Sequence, residues 1–215
     1  MKDKKLAVFD LDGTIIDAYK SIQKTLNYSL EQMGYSPVTL EKVKKSVGRG
    51  EVDLASKLVK EQDMAELIAF YRQNHIKFID GNVKLLEGSE ELLDSLKDRG
   101  LHIALATNRA AFAVSPLLEK LNIKGYFDII YTRDDVVNPK PDPAILLKTI
   151  AYFNTEKLQT FFVGDMDVDY LAGSNAGVDT YIVLTGSSSK EDFEQYTNVN
   201  LFDNLVTLKK HLDYL

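Results

Sequence analysis

Residues 7–14 read Ala-Val-Phe-Asp-Leu-Asp-Gly-Thr, and the reading of this stretch decides the fold. The apolar run from Leu6 to Phe9 has strand character and stops at Asp10; Asp12 and Gly13 follow. Side chains alternate faces along a strand, so Asp10 and Asp12 point the same way if the extended geometry persists to Asp12. Two carboxylates side by side repel unless a cation or a shared proton intervenes. The pair therefore reads as a Mg²⁺ site carrying one nucleophilic carboxylate and one acid/base carboxylate. A polar turn after a strand would use the same residues, because Asp and Gly are common turn formers. The rest of the chain separates the two readings.

Further apolar or β-branched runs at residues 101–106, 128–131, 160–163 and 180–184 read as buried strands. Helical patterns lie between most of them. Ser89 is the expected N-cap of a helix reaching Arg99 and stopped by Gly100. Residues 110–121 form another, with Leu117, Leu118 and Leu121 on one face. Asp142 and Pro143 open a third that runs to Tyr152, and residues 167–176 form a short one ended by Gly177. Strands alternating with helices predict an α/β fold: a Rossmann-like parallel sheet covered on both faces.

One stretch breaks the alternation. No strand is evident from Asp17 to about Leu85, whereas Ile22, Leu26, Leu30 and Met33 recur at helical spacing up to Gly34. Residues 53–60 and 64–79 read as further helices. The stripe Leu67, Phe70, Tyr71 and Phe78 reads as bundle core, and Lys42, Lys44 and Lys45 as a solvated face. The expected organisation is a core of residues 1–16 and 86–215 with an all-helical insertion at 17–85.

Composition narrows the function. The 215 residues carry a formal net charge of -6, so no basic footprint for nucleic acid is expected, and any phosphate site must be made positive locally. There is no cysteine, which excludes disulfides and thiolate metal sites. The N-terminus is basic, but the apolar run behind it is broken by Asp10 and is too short for a signal peptide or a membrane span. A cytoplasmic protein, monomer or homodimer, with no membrane partner is expected.

The strand at 101–106 ends in Thr107-Asn108-Arg109, the strand at 160–163 in Gly164-Asp165, and the loop between carries Lys140-Pro141. Ligands of open α/β sheets bind at the carboxyl ends of the strands, which brings Asp10, Asp12, Thr107 and Asp165 to one edge, with Lys140 arriving from its loop. Two carboxylates, further carboxylates for a metal, a hydroxyl and an ammonium are the equipment a phosphoryl group requires.

These motifs, Asp-Leu-Asp-Gly-Thr at 10–14, Thr-Asn at 107–108, Lys-Pro at 140–141 and Gly-Asp-x-x-x-Asp at 164–169, resemble in order the four motifs of the haloacid dehalogenase superfamily. The resemblance covers essentially the whole chain and is closest to the phosphoglycolate-phosphatase-like branch, whose small helical cap follows the first motif. It implies an enzyme hydrolysing a small phosphate ester. Asp10 would be the nucleophile and become an aspartyl-phosphate; Asp12 would protonate the leaving alkoxide and then activate water. Mg²⁺ would be held by the Asp10 side chain, the Asp12 backbone carbonyl and Asp165, with Asp169 bound directly or through water. Thr107 and the Asn108 backbone would hold the phosphoryl oxygens, and Lys140 would offset the negative charge.

An aspartate at position 12 favours phosphate esters, since the similar dehalogenases and phosphonatases lack it. Mutases of the β-phosphoglucomutase type keep it but carry a histidine ten residues later, where this chain has Ile22; His75, His102 and His211 lie elsewhere. A sugar phosphomutase, a pyrophosphatase or nucleotidase, and a non-catalytic phosphometabolite-binding protein remain alternatives. Met166 stands where relatives often have Ser or Thr, and Asp167 reads as a helix N-terminal acid. The insertion is expected to set specificity through Gly48 and Arg49, the glycine permitting close approach and the arginine pairing with a carboxylate or second phosphate, although an exposed interhelix turn fits equally. Arg109 is a second candidate for an anionic substrate.

Overall fold

The computed structural model describes residues 3–214. In chain order its elements are β1 (Leu6–Phe9), β2 (Ile16–Asp17), α1 (Tyr19–Gln32), α2 (Leu40–Ser46), α3 (Glu51–Ser56), α4 (Met64–Asn74), β3 (Lys84–Leu85), α5 (Ser89–Asp98), β4 (His102–Ala106), α6 (Ala111–Lys120), β5 (Ile129–Tyr131), α7 (Ala144–Phe153), β6 (Thr160–Gly164), α8 (Asp167–Ala176), β7 (Asp179–Val183), β8 (Asn200–Phe202) and α9 (Leu205–Tyr214).

Strand β1 is the spine of the molecule. Its four apolar residues are wholly buried and pair in parallel with β4 on one side and β6 on the other. Its side chains alternate: Ala7 and Phe9 pack with leucines of α5, α6 and α9, whereas Leu6 and Val8 pack with α7 and α8. Both faces are therefore covered, which is why the strand reads as a continuous apolar run. The sheet order is β5-β4-β1-β6-β7-β8. Every strand pair in it is parallel. The expected doubly covered parallel sheet is thus the fold of the protein.

Between β2 and β3 the chain is helical and has apolar clusters of its own. Ile22, Leu26 and Val43 meet Leu54 and Tyr71 in one; Leu30, Ala55 and Leu67 form the next. The spacing of Ile22, Leu26 and Leu30 read from the sequence is the buried face of α1. The expectation of no strand near this segment is corrected at its two ends. Ile16 pairs with Leu85 and Asp17 with Lys84, antiparallel, so the chain leaves and re-enters the core through two adjacent stems. Two-residue strands are too short to leave a period in the sequence.

Some ends differ from expectation. Ser89 does not cap α5; Gly88, at φ 84°, occupies that position, and the Ser89 hydroxyl donates instead to the Ile15 carbonyl (2.8 Å), tying α5 to the first motif. Pro143, not Asp142, is the N-cap of α7, and the Asp142 carboxylate accepts from the Ala144 N–H (2.9 Å) from one residue further out. The helix expected at 53–60 is α3, which starts earlier and ends at Ser56. Strand β8 and helix α9 extend the sheet and cover one face, and neither is among the elements expected from sequence.

Helix α8 lies close on β7 because Gly173 faces Thr180; a Cβ there would overlap the Thr180 hydroxyl. Gly173→Ala is expected to lower unfolding stability by about 1–3 kcal/mol in urea titrations, and Thr180→Ala in the same chain to recover part of it.

Candidate active site

The sheet order reverses at β1: the chain steps to β4 and β5 on one side, then to β6, β7 and β8 on the other. Asp10, Thr107 and Asp165 directly follow β1, β4 and β6 and so share the carboxyl edge at the switch point, where a crevice opens. Lys140 reaches the same place from the loop before α7. Its buried ammonium donates to Asp10 Oδ1 (2.6 Å), Asp169 Oδ1 (2.7 Å) and the Ala106 carbonyl (2.9 Å), using all three protons. Asp10, Asp165 and Asp169 each offer an oxygen within 4.8 Å of the others, and all three residues are buried.

One ammonium against three buried carboxylates leaves negative charge uncompensated. Burial pushes the Asp10 carboxyl up to about 7, with Lys140 pulling it down and Asp169 pushing it up. Burial also holds Asp165 well above the carboxylate range, reinforced by Asp169 and Asp10. Burial works against the Lys140 charge, but the two carboxylates outweigh it and raise the group. The cluster could hold one more positive species.

The surrounding groups fit a hydrated cation. Asp165 accepts from the Thr14 hydroxyl (3.4 Å) and the Ser187 N–H (3.0 Å). The buried Tyr19 hydroxyl and Ser187 Oγ find no hydrogen-bond partner among the described residues. Gly13, at φ +87°, makes room: a Cβ there would lie 2.5 Å from both Asp165 Oδ2 and the Tyr19 hydroxyl. Buried orphans are costly unless water or a ligand satisfies them, and Mg²⁺ characteristically keeps water ligands. Asp169 is more committed: Oδ2 accepts from the Asp165 and Met166 N–H groups (3.2 and 3.1 Å), while Oδ1 faces Lys140.

Asp12 sits apart from this cluster and is held by Arg109 in a fork: Nε to Oδ2 (2.7 Å) and Nη2 to Oδ1 (3.0 Å). The remaining terminal nitrogen, Nη1, lies 3.0 Å from Nε2 of His75, at the end of the helical insertion. His75 is fully buried and stacked on Tyr71. The sequence shows only that His75 does not stand at position 22; the fold brings it to the Asp12–Arg109 pair. Burial, aided by Arg109, pushes its imidazole down to about 3, so it is neutral near pH 7. Thr107 is buried at the head of its loop, its hydroxyl accepting from the Arg109 N–H (3.2 Å). The Asn108 side chain is a clamp: its amide donates to the Lys140 and Gly48 carbonyls (3.0 and 2.9 Å) and its oxygen accepts from the Lys140 N–H (3.0 Å).

Gly48 joins the site and Arg49 does not. Gly48 and Gly50 line a cavity of about 100 Å³ above Asp10, Asp12 and Thr107. The Arg49 guanidinium, 42% exposed, pairs instead with Asp167 (2.7 Å), bridging the insertion and α8 outside the cavity wall. Asp167 keeps its helix N-terminal place, accepting from the Val168 N–H (2.8 Å). Met166, in place of a hydroxyl residue, lies against Gly48, where a Cβ would overlap its sulfur.

Sequence reasoning did not single out Tyr19, His75, Phe112 or Arg133 for the site, and it assigned Tyr71 to the bundle core. Tyr71 is buried there, but it also lines the cavity with Ile22, Leu54 and Phe112. The signal was present for Tyr71 and His75, which are four residues apart and so share a face near the end of α4.

Residues 7–183 match the haloacid dehalogenase-like hydrolase family. A phosphoglycolate phosphatase from Aquifex aeolicus is 31% identical over 182 residues, covering 85% of each chain. The pyrophosphatase PpaX from Halalkalibacterium halodurans is 30% identical, covering 82% of this chain and 81% of that one. A crystal structure described as a predicted phosphoglycolate phosphatase from Haemophilus somnus superposes with a TM-score of 0.91 over 99% of both chains, at 22% identity, a likeness of fold.

The neutral burial of His75 has a consequence for acid stability. The unfolded chain takes up this proton near 6.5, whereas the folded chain resists until about 3, so stability is present above 6.5 and lost as pH falls. Between pH 7 and pH 5 the loss from this group is about 2 kcal/mol. Denaturant unfolding of wild type and His75→Gln at the two pH values should differ in pH dependence by about that amount, wild type losing more.

Proposed function

This chain belongs to the haloacid dehalogenase-like hydrolase family, and we propose that it is a Mg²⁺-dependent phosphatase of a small phosphorylated metabolite, working through an aspartyl-phosphate on Asp10. The observation that carries this reading is the buried set Asp10, Asp165 and Asp169 with Lys140 as the neutralising ammonium beside it. A divalent cation offsets the remaining charge, and a phosphoryl group needs an electropositive seat in an acidic protein.

Asp10, Asp165 and the Asp12 carbonyl would hold Mg²⁺, with Asp169 acting through water because both its oxygens are engaged. The ion would supply charge neutralisation at the phosphoryl oxygens. Lys140 and the 107–108 loop would orient the ester. An Asp10 oxygen attacks phosphorus, the ester P–O bond breaks, and the leaving oxygen takes a proton from Asp12, which enters this step protonated on one oxygen with the other still accepting from Arg109. Water then attacks phosphorus, gives its proton to Asp12, and the phosphorus–Asp10 bond breaks to release phosphate. Positioned proton transfer of this kind typically contributes ~10²–10⁴-fold.

The cavity walls favour a short organic remainder. Ile22, Leu54, Tyr71 and Phe112 offer apolar surface and Arg133, which also lines the cavity, a cation, a combination suited to phosphoglycolate and poorly suited to pyrophosphate. Ile22 also offers no proton-transfer group for a mutase. Residues 17–85 act as the cap over the core of residues 1–16 and 86–215, closing to exclude water. A phosphometabolite substrate is in keeping with a cytoplasmic enzyme; no helix among the described residues is long and apolar enough to cross a membrane.

The test is phosphate release from a panel of phosphorylated metabolites and pyrophosphate, with and without Mg²⁺. Release is expected to require the metal, to rank phosphoglycolate above pyrophosphate, and to vanish in Asp10→Asn. Metal-dependent release that survives Asp10→Asn contradicts the mechanism.

A further inference from the structure

The helical insertion contributes an acceptor to the catalytic machinery through a chain of hydrogen bonds whose polarity is fixed at both ends. Arginine only donates, so at 3.0 Å from Arg109 Nη1 the Nε2 of His75 must carry a lone pair. A neutral imidazole then holds its proton on Nδ1. That nitrogen faces the Thr25 hydroxyl (3.4 Å), and Thr25 spends its own proton on the Ser21 carbonyl (2.8 Å), leaving its oxygen to accept. The chain therefore runs from Asp12 through Arg109 and His75 to Thr25 in α1, with each donor and acceptor determined by the next. His75 is itself clamped by the Tyr71 ring at 5.2 Å and the Phe112 edge at 6.2 Å.

Arg109 is the member that needs this support. Its side chain is 8% exposed, and its fork on Asp12 uses Nε and Nη2. Among the described residues, His75 Nε2 is the acceptor that faces its third nitrogen. We propose that His75 is a positioning residue: as the Nδ1–H tautomer it fixes the Arg109 guanidinium on Asp12, so the insertion orients the acid/base carboxylate without touching substrate. The logic is that of any orienter behind a proton-transfer group. A hydrophobic substitute would keep the packing and lose the register. Glutamine, whose amide oxygen reaches toward the Nε2 position, would keep an acceptor.

This inference rests on the proposed role of Asp12, and the experiment separates the two. A leaving group that needs no proton does not need Asp12 as an acid, and kcat/KM reports the steps through transfer to Asp10. For 2-phosphoglycolate, whose alkoxide must be protonated, His75→Leu is expected to lower kcat/KM by about tenfold or more. For p-nitrophenyl phosphate the change should stay within about threefold, and His75→Gln should recover most of the loss on phosphoglycolate. Thr25→Val, which removes the acceptor for Nδ1–H, should produce a smaller loss with the same selectivity for the alkyl ester. Nitrogen-15 NMR of the wild-type imidazoles gives a readout independent of turnover: one of the three histidines, removed in His75→Gln, should show a protonated Nδ1 and a bare Nε2. Equal losses on both esters, no loss on phosphoglycolate, or an Nε2–H tautomer would overturn the proposal. If wild type hydrolyses neither ester, the phosphatase reading fails and the tautomer alone judges His75.

Discussion

Three buried carboxylates at the end of a parallel sheet, with one lysine among them, are an electrostatic debt that the fold must carry. Asp10 and Asp165 are placed by β1 and β6, Asp169 by the first turn of α8, and Lys140 by the loop ahead of α7. Their separations are short because β1 lies between β4 and β6 and the switch point falls at β1. Burial makes the charge consequential: at the surface the same residues would be screened, whereas here Asp10 is pushed up to about 7. The orphaned Tyr19 and Ser187 hydroxyls beside Asp165 complete a place suited to a hydrated divalent ion.

The seam between the insertion and the core follows from the same edge. Polar contacts span it at several points, among them Asn108 to Gly48, Arg49 to Asp167, Arg109 to His75 and the surface pair Lys120–Asp80. The Arg49 pair is partly exposed and contributes little, about 0–1 kcal/mol. The Arg109 contact is shielded and adjoins the reacting groups. Met166 packs under Gly48, which accounts for an apolar residue where a hydroxyl would have been expected.

Much of this was legible in the sequence because it is local. Strand β1 declares itself as four apolar residues ended by Asp10, and Gly177 ends α8 as expected, at φ 75°. The switch-point rule turns such strand ends into a site, which is how the sequence alone gathers Thr107, Lys140 and Asp165. What escaped was set by contacts between distant segments. Ser89 looks like a cap but bonds Ile15 across 74 residues. Arg49 looks like a ligand contact but is captured by Asp167. His75 gave no local hint of Arg109, 34 residues away, because only the packing of the turn after α4 against α6 brings them together.

The central claim is that Asp10 itself takes the phosphoryl group, and trapping that species tests it most directly. With Asp12→Asn, release of the intermediate by water should be slowed while the nucleophile stays intact. Mixing this variant with Mg²⁺ and p-nitrophenyl phosphate, quenching in acid and mapping the peptides by mass should find one phosphoryl group on Asp10. Turnover by the variant with the phosphoryl group on another residue, or with inversion at phosphorus showing direct attack by water, would contradict the account.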